Sequence, residues 1–404
     1  PTATVNSTTA ATAQAPTTGG APTQPSGGAT TQAASNPTLP ADAAPDIKAG
    51  TQLRIGFAFA TSGGNAVYGK SQRAAAELAV REIMSSTGGL AIIPLFEDTA
   101  GQPDQAVTVF QKLSNVDVVD VLIGPTLSNE AKSSDPIAQR LGVPVLAVSN
   151  TAGGITDIGD YIFRDSLAES QVIPQTIKIA KEKLNITKVD LLYAKDDAFS
   201  KSGADVFRTE LGKNGIQIIS EQTFGKDDTD FKSQLTAIKA DNPDAIVVSA
   251  LAKPAQSILQ QARNDIGIDP KVHIIGGNGF NSPAVLKGAG TAAEGLIVGA
   301  AWNSSSDDPL SKDFIKKFTE ANGSPPDQFA AQAYAGVKIA YDAAKRANFA
   351  GKPLREARTA IRDALKSTGN IPTVLGTFSF TDKRDANHAP VVQIVKDGKF
   401  DVLK

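Results

Sequence analysis

Two apolar runs in this chain end in small hydroxyl residues. Val118 to Ile123 runs into Gly124-Pro125-Thr126-Leu127-Ser128, and Val143 to Val148 runs into Ser149-Asn150-Thr151. Asn129 to Leu141, between them, has helical character, so the order reads strand, helix, strand. In an open α/β sheet a ligand sits just beyond the carboxyl ends of the strands. Hydroxyls and free backbone N–H groups at that place form a cradle for a carboxylate. Ser128 opens the helical segment, so it is expected to be a helix N-cap, and a helix N-terminus favours an anion. Local sequence leaves a second reading open: Ser128 can simply cap its helix, and Ser149 to Thr151 can simply make a turn.

Other chemistries lack their parts. The chain contains no cysteine, which removes thiolate nucleophiles and Cys-based metal sites, and its histidines are His273 and His388 only. No Gly-x-Ser-x-Gly elbow or His-Glu-x-x-His occurs. Gly277-Asn278-Gly279 lacks the third glycine of a dinucleotide fingerprint, and Pro283 follows closely. Glu97-Asp98 sits at a strand end, but neighbouring strand residues point to opposite faces. The expectation is a protein that is not an enzyme and uses neither cofactor nor metal. A formal net charge of −2 gives no basic field for nucleic acid or an anionic membrane.

The elements that position the strand ends alternate along the chain. Leu53 to Ala60 reads as a strand and Gly69 to Met84 as a helix; Ala91 to Phe96 and Gln105 to Leu113 repeat the pair. After Arg164 the alternation restarts, through strands at Val189–Tyr193, Gln217–Gln222, Ala245–Ala250 and Val272–Ile275. Helices over Pro309–Asn322, Asp327–Ala347 and Leu354–Ser367 follow, then strands near Thr377 and Val391. Alternation of this kind gives parallel sheets with helices on both faces. With 404 residues the chain has room for two such lobes and a cleft between them. Residues 1–40 carry neither charge nor aromatic side chain, a composition that cannot offset its ordering entropy, and are read as a disordered tether.

Leu53–Asn65 with Tyr68-Gly69, Glu97 to Val107, Ile123-Gly124-Pro125 with Ser128, Ser149-Asn150-Thr151, Ala292 to Leu296, Gln332 to Gly336 and Gly376 to Asp382 together resemble the type I periplasmic solute-binding proteins of ABC importers. The branched-chain and neutral amino acid binders are the nearest group. The resemblance runs from about Leu53 to the C-terminus. It implies an α/β fold of two doubly wound Rossmann-like lobes joined by three crossover segments, placed near Leu167–Ser170, Val298–Ala301 and Phe378–Asp382. The expected boundaries are a tether over 1–50, an N-terminal lobe of 51–168 and 299–378, and a C-terminal lobe of 169–298 and 379–404.

The resemblance also assigns a site. Ser128, Ser149 (largely through its backbone) and Thr151 would hold a ligand carboxylate. Asn278 matches the position of an acidic residue that meets the ligand amino group in amino acid binders. Its amide oxygen can accept one hydrogen bond but carries no charge, so either another carboxylate such as Asp196 or Asp197 substitutes, or the ligand lacks a simple ammonium. An ordinary turn residue is the other reading of Asn278. Tyr68, Phe199, Leu251 and Phe329 match pocket-wall positions, each equally readable as core, and Trp302 can cover the cleft or pack the hinge.

The implied function is an extracytoplasmic carrier that captures a small amino acid, neutral or branched-chain, and delivers it to ABC permease subunits in the membrane. Such a carrier would be periplasmic or at the cell surface, a monomer, with a lipid anchor upstream of Pro1. The alternatives are a binder of another small carboxylate or amide such as urea, and a ligand sensor acting through a partner receptor.

Overall fold

A computed structural model describes residues 47–86 and 88–403. The first lobe is built from β1 (Leu53–Phe59), α1 (Ala66–Ser85), β2 (Ile92–Asp98), α2 (Pro103–Gln111), β3 (Val121–Ile123), α3 (Ser128–Leu141), β4 (Val145–Ala147) and β5 (Ile162–Arg164). These strands form a parallel sheet in the order β2-β1-β3-β4-β5. The central strands β3 and β4 are buried along their whole length, as strands covered by helices on both faces must be.

The chain then crosses into α4 (Glu169–Leu184), β6 (Lys188–Ala194), α5 (Ala198–Lys213), β7 (Gln217–Phe224), α6 (Lys232–Asp241), β8 (Ala245–Ser249), α7 (Ala252–Gln260), β9 (His273–Gly276), α8 (Pro283–Ala289) and β10 (Ile297–Ala300). It returns through α9 (Pro309–Asn322), α10 (Gln328–Ala347) and α11 (Leu354–Lys366). It ends in β11 (Ile371–Thr373), β12 (Gly376–Phe380), β13 (Ala386–Asn387), β14 (Val391–Lys396) and β15 (Lys399–Val402). The second sheet runs β15-β14-β10-β9-β8-β6-β7, parallel from β10 to β7 with the β14–β15 hairpin antiparallel at its edge. Strands β11, β12 and β13 make a small antiparallel sheet of their own.

The late helices complete the first lobe. Ala75, Ala76 and Ala79 of α1 share one buried cluster with Ala333, Val337 and Ala340 of α10, small side chains that let the helices approach closely. Phe314, Phe318, Ala357 and Ile361 extend that cluster from α9 and α11. Trp302 packs there too: it is buried, lies edge-on to Phe314, and donates its indole N–H to Ser311 Oγ at 3.0 Å. Of the two readings of this residue, packing is the one the structure shows.

Several boundaries shift. Of the tether expected over 1–50, residues 1–46 lie outside the described residues. Ile47 to Gly50 instead belong to the fold: Lys48 bridges Pro353, Ala49 is buried and donates its N–H to Lys352 O at 2.9 Å, and Leu354 N–H reaches Ile47 O at 2.8 Å. The change of lobe expected at 298/299 falls inside β10, whose register with β9 and β14 keeps Ile297 to Ala300 in the second sheet. The change expected at 378/379 likewise falls inside β12, which pairs with β11 and β13. Strand β5 has no counterpart in the alternation read from sequence, because three residues ending in Arg164 carry too short a pattern. Helix α8 was not anticipated either; Ser282 caps it and Pro283 supplies its first position.

Candidate ligand-binding site

The carboxyl ends of β3 and β4 open onto a cavity of ≈280 Å³, its mouth included, between the two lobes. Eight of the side chains singled out from sequence line it: Ser128, Ser149, Thr151 and Tyr68 from the first lobe, Phe329 at the start of α10, and Phe199, Leu251 and Asn278 from the second; Asp196, Asp197 and Trp302 do not. Thr126, Leu127, Asn150 and Gly279 complete the wall.

Hydrogen bonding decides what each hydroxyl has left to offer. The Ala60 N–H donates to Thr126 Oγ at 2.9 Å, and the Thr126 hydroxyl donates to Gln72 Oε1 at 2.7 Å. Gln72 Nε2 then donates to Ser149 Oγ, whose own proton goes to Thr126 O at 2.6 Å. Ser149 therefore has no side-chain proton to spare and can donate to a ligand carboxylate only through its backbone. Ser128 differs: its Oγ accepts from the Ala152 N–H at 3.2 Å, so its hydroxyl proton is left for another acceptor. Thr151 donates its proton to Glu169 Oε1 at 2.6 Å.

Ser128 is not the helix N-cap that sequence suggested. Leu127 occupies that position, and its N–H is accepted by Glu130 Oε2 at 2.8 Å, so the glutamate of the first turn performs the capping and frees Ser128. Behind the second loop, Arg164 donates to Ala152 O at 2.8 Å and to Asn150 O, and pairs with Asp385 at 2.5 Å. This buried guanidinium fixes the loop carbonyls away from the cavity.

The opposite wall is apolar and aromatic. Tyr68, Leu127, Phe199, Leu251, Phe280 and Phe329 belong to one buried cluster, with the rings of Tyr68 and Phe329 4.5 Å apart. Phe199 follows Asp197, which caps α5 by accepting from Ser200 N at 2.8 Å. Asn278 sits in the turn after β9. Its Oδ1 accepts from Gln328 Nε2, and Gln328 Oε1 accepts from Ala301 N at 3.0 Å. Gly279 lies so close to the end of β8 that a Cβ there would stand 2.2 Å from Ala250 O, so glycine is required by space.

The lobes are bridged around the cavity. Tyr68 Oη donates to Gly279 O at 2.6 Å, Asn129 Nδ2 to Asp197 Oδ1 at 2.8 Å, Ala198 N to Asn129 Oδ1 at 2.9 Å and Gly153 N to Ser202 Oγ at 2.8 Å. Burial raises the Tyr68 phenol well above its usual range, so it remains a donor.

No charged side chain lines the cavity among the described residues. Three carboxylates stand one layer behind. Asp197 and Asp327 cap α5 and α10, and burial raises both, Asp327 to about 6. Glu169, at the start of α4, is raised by burial to about 7, while the Thr151 hydroxyl and Arg164 pull the other way. Asp196 is turned aside and accepts from Lys226 N at 2.7 Å. Sequence reasoning missed Gln72, Glu169 and Gln328. Gln72 leaves a signal, a polar residue on the apolar face of α1; the others lie too far along the chain from the groups they hold.

Residues 52–399 match the protein family described as periplasmic binding protein. The chain is 26% identical over 340 residues to the Leu/Ile/Val-binding protein BraC3 of Rhizobium johnstonii, covering 83% of this chain and 89% of that protein. It is also 26% identical to the leucine-, isoleucine-, valine-, threonine- and alanine-binding protein of Pseudomonas aeruginosa, covering 83% and 88%. The crystal structure of the branched-chain amino acid transporter substrate-binding protein LivJ of Streptococcus pneumoniae, in complex with isoleucine, superposes with a TM-score of 0.79 at 29% identity, covering 87% of this chain and 98% of that one. A solute-binding protein of an ABC transporter from R. palustris, in complex with benzoate, shares the fold with a TM-score of 0.78 at 22% identity, over 87% of this chain and 95% of that one.

Proposed function

This chain belongs to the periplasmic binding protein family, and from that premise we propose that it captures a small neutral or branched-chain amino acid between its lobes and delivers it to an ABC permease outside the cytoplasm. The observation that carries the reading is the composition of the cavity wall. One side presents the Ser128 hydroxyl and the start of α3; the other presents Tyr68, Phe199, Leu251 and Phe329. A carboxylate fits the first and an apolar side chain the second.

Hydrogen bonds to a charged group contribute about 1.5–3 kcal/mol each, so a few of them hold a carboxylate without a buried arginine. The unpaired N–H groups of the first turn of α3 add the favourable end of the helix dipole. The cross-cleft bonds form only when the lobes meet, so a ligand that touches both walls favours the closed arrangement by its differential affinity for it. A dissociation constant near micromolar, about −8 kcal/mol, is expected. No bond is made or broken on the protein; its work is capture and presentation. On the same reading the carrier is a monomer, and a lipid anchor holds it at the membrane.

Calorimetric titration with neutral, basic, acidic and amide amino acids, urea and small carboxylates tests the reading. Micromolar binding of a neutral amino acid is expected. Binding of urea or of a simple carboxylate alone would replace it with one of the alternatives.

A further inference from the structure

The amino acid reading leaves the ligand's ammonium without an obvious partner, because the residue facing the carboxylate cradle from the second lobe is Asn278. Its orientation can be worked out from the backbone. The Ala301 N–H can only donate, so the group of Gln328 that meets it must be the oxygen, as observed at 3.0 Å. Gln328 Nε2 then points at Asn278, which must answer with its own oxygen. One lone pair of the oxygen that position 278 would offer an ammonium is thus already engaged, and the side chain brings an N–H₂ group and no charge.

The compensating charge lies on the other side of the cavity. Asp197 accepts from Ser200 N and Asn129, and Asp327 from Ser71 and Ala330 N, so both serve as helix caps, and neither is bonded to a side chain that lines the cavity. Glu169 alone of the carboxylates behind the wall is reached through the side chain of a lining residue, Thr151. Because the Thr151 proton is committed to Glu169, the lone pairs of Thr151 Oγ1 are what the threonine has left for a ligand. A hydroxyl that donates to a carboxylate is a stronger acceptor for a cation.

We infer that Glu169 supplies the negative charge for the ligand ammonium, acting through Thr151 Oγ1 as a positioning residue. This rests on the amino acid reading above. It also reassigns the Thr151 hydroxyl from the carboxylate to the amine, leaving the carboxylate to Ser128 and the backbone. The charged group acting on Glu169 is Arg164 from β5, itself paired with Asp385. Helix α5 presents Gly203, whose Cβ position is 3.6 Å from Glu169 Oε2 and 2.5 Å from Ser249 Oγ of β8; neither residue titrates.

The test compares the amino acid that binds best with the carboxylic acid of the same skeleton lacking the ammonium, leucine and 4-methylpentanoate first. Burial sets Glu169 near neutrality, so at pH 7 leucine binding should release protons into the buffer, read as a binding enthalpy that varies with buffer ionisation enthalpy. Binding of 4-methylpentanoate should release none. Glu169→Gln should lower leucine affinity about tenfold or more and leave 4-methylpentanoate unchanged or tighter. An equal loss for both ligands would mark Glu169 as structural and overturn the assignment, as would leucine binding without proton release. The proton measurement uses the native protein, so it decides even where the variant does not fold. If no amino acid binds the native protein, the proposed function itself falls, and the assignment with it.

Discussion

The phenol of Tyr68 and the carbonyl of Gly279 join the two lobes through a hydrogen bond of 2.6 Å, made between a residue at the start of α1 and one in the turn after β9. Both residues also line the cavity, so the bond that closes the cleft is part of the wall that meets the ligand. Closure and recognition therefore share atoms.

Tyr68→Phe should keep the ring packing against Phe329 and remove only that bond. A net intramolecular hydrogen bond contributes about 0.5–1.5 kcal/mol, so ligand affinity should fall about threefold to tenfold. Small-angle scattering should show the ligand-free variant more open than the native protein. Unchanged affinity together with unchanged scattering would mean that the apolar contacts alone set the closed form.

Ser128 is the lining hydroxyl whose proton is free, since its oxygen already accepts from Ala152 N. Ser128→Ala should weaken amino acid binding by about tenfold or more, the value of a hydrogen bond to a charged acceptor. The loss should vanish with the corresponding amino acid amide, which lacks the carboxylate. Calorimetry with leucine and leucinamide distinguishes this from a general disturbance of α3, which would weaken both.

Much of this architecture was legible in the sequence because the strand ends carry local patterns. Val143 to Thr151 announces a buried strand and a hydroxyl loop within nine residues. The hydroxyl, amide and wall side chains expected from sequence line the same cavity, whereas Asp196, Asp197 and Trp302 do not. What stayed hidden is set by long-range hydrogen bonds. Nothing near Ser128 shows that Glu130 takes over the capping, and nothing near Asn278 shows that Gln328, fifty residues away, fixes its amide. The lobe boundaries were misplaced for a related reason: β10 and β12 owe their places to partners such as β14 and β13, distant or separated by a turn, which apolar periodicity does not identify.

Asn278→Asp supplies a direct check on that hidden network. One carboxylate oxygen can keep the bond from Gln328 Nε2, and the other brings a charge to the cavity in place of the N–H₂ group. Binding of zwitterionic amino acids should tighten by about tenfold, and binding of 4-methylpentanoate should weaken. Competition titration of the two ligands reads the change in preference; a large loss of amino acid affinity would show that the asparagine amide donates to the ligand itself.

The buried acids set the pH dependence of the fold. Burial raises Asp120 and Asp327 to about 6 and Glu130 and Glu169 to about 7, and it raises Asp135 and Asp165 well above their usual range. A carboxyl group whose folded value exceeds its unfolded value keeps a proton in the folded chain that the unfolded chain has already released. Its stabilising contribution is complete below the unfolded value and is lost as pH rises through the folded one. Asp98, Glu221 and Asp244 behave oppositely, held low by hydrogen bonds from Ser62, Arg208 and Thr187, and their contribution is lost on the acid side. Urea unfolding of the ligand-free protein should therefore give its highest midpoint on the acid side of neutrality and a falling midpoint from about pH 5 to pH 8. A saturating amino acid should flatten the upper part of that fall, because an ammonium beside Thr151 favours ionised Glu169. A midpoint that climbs steadily to pH 8 would mean that the buried acids are ionised in the folded chain and that their burial is compensated by partners other than those seen.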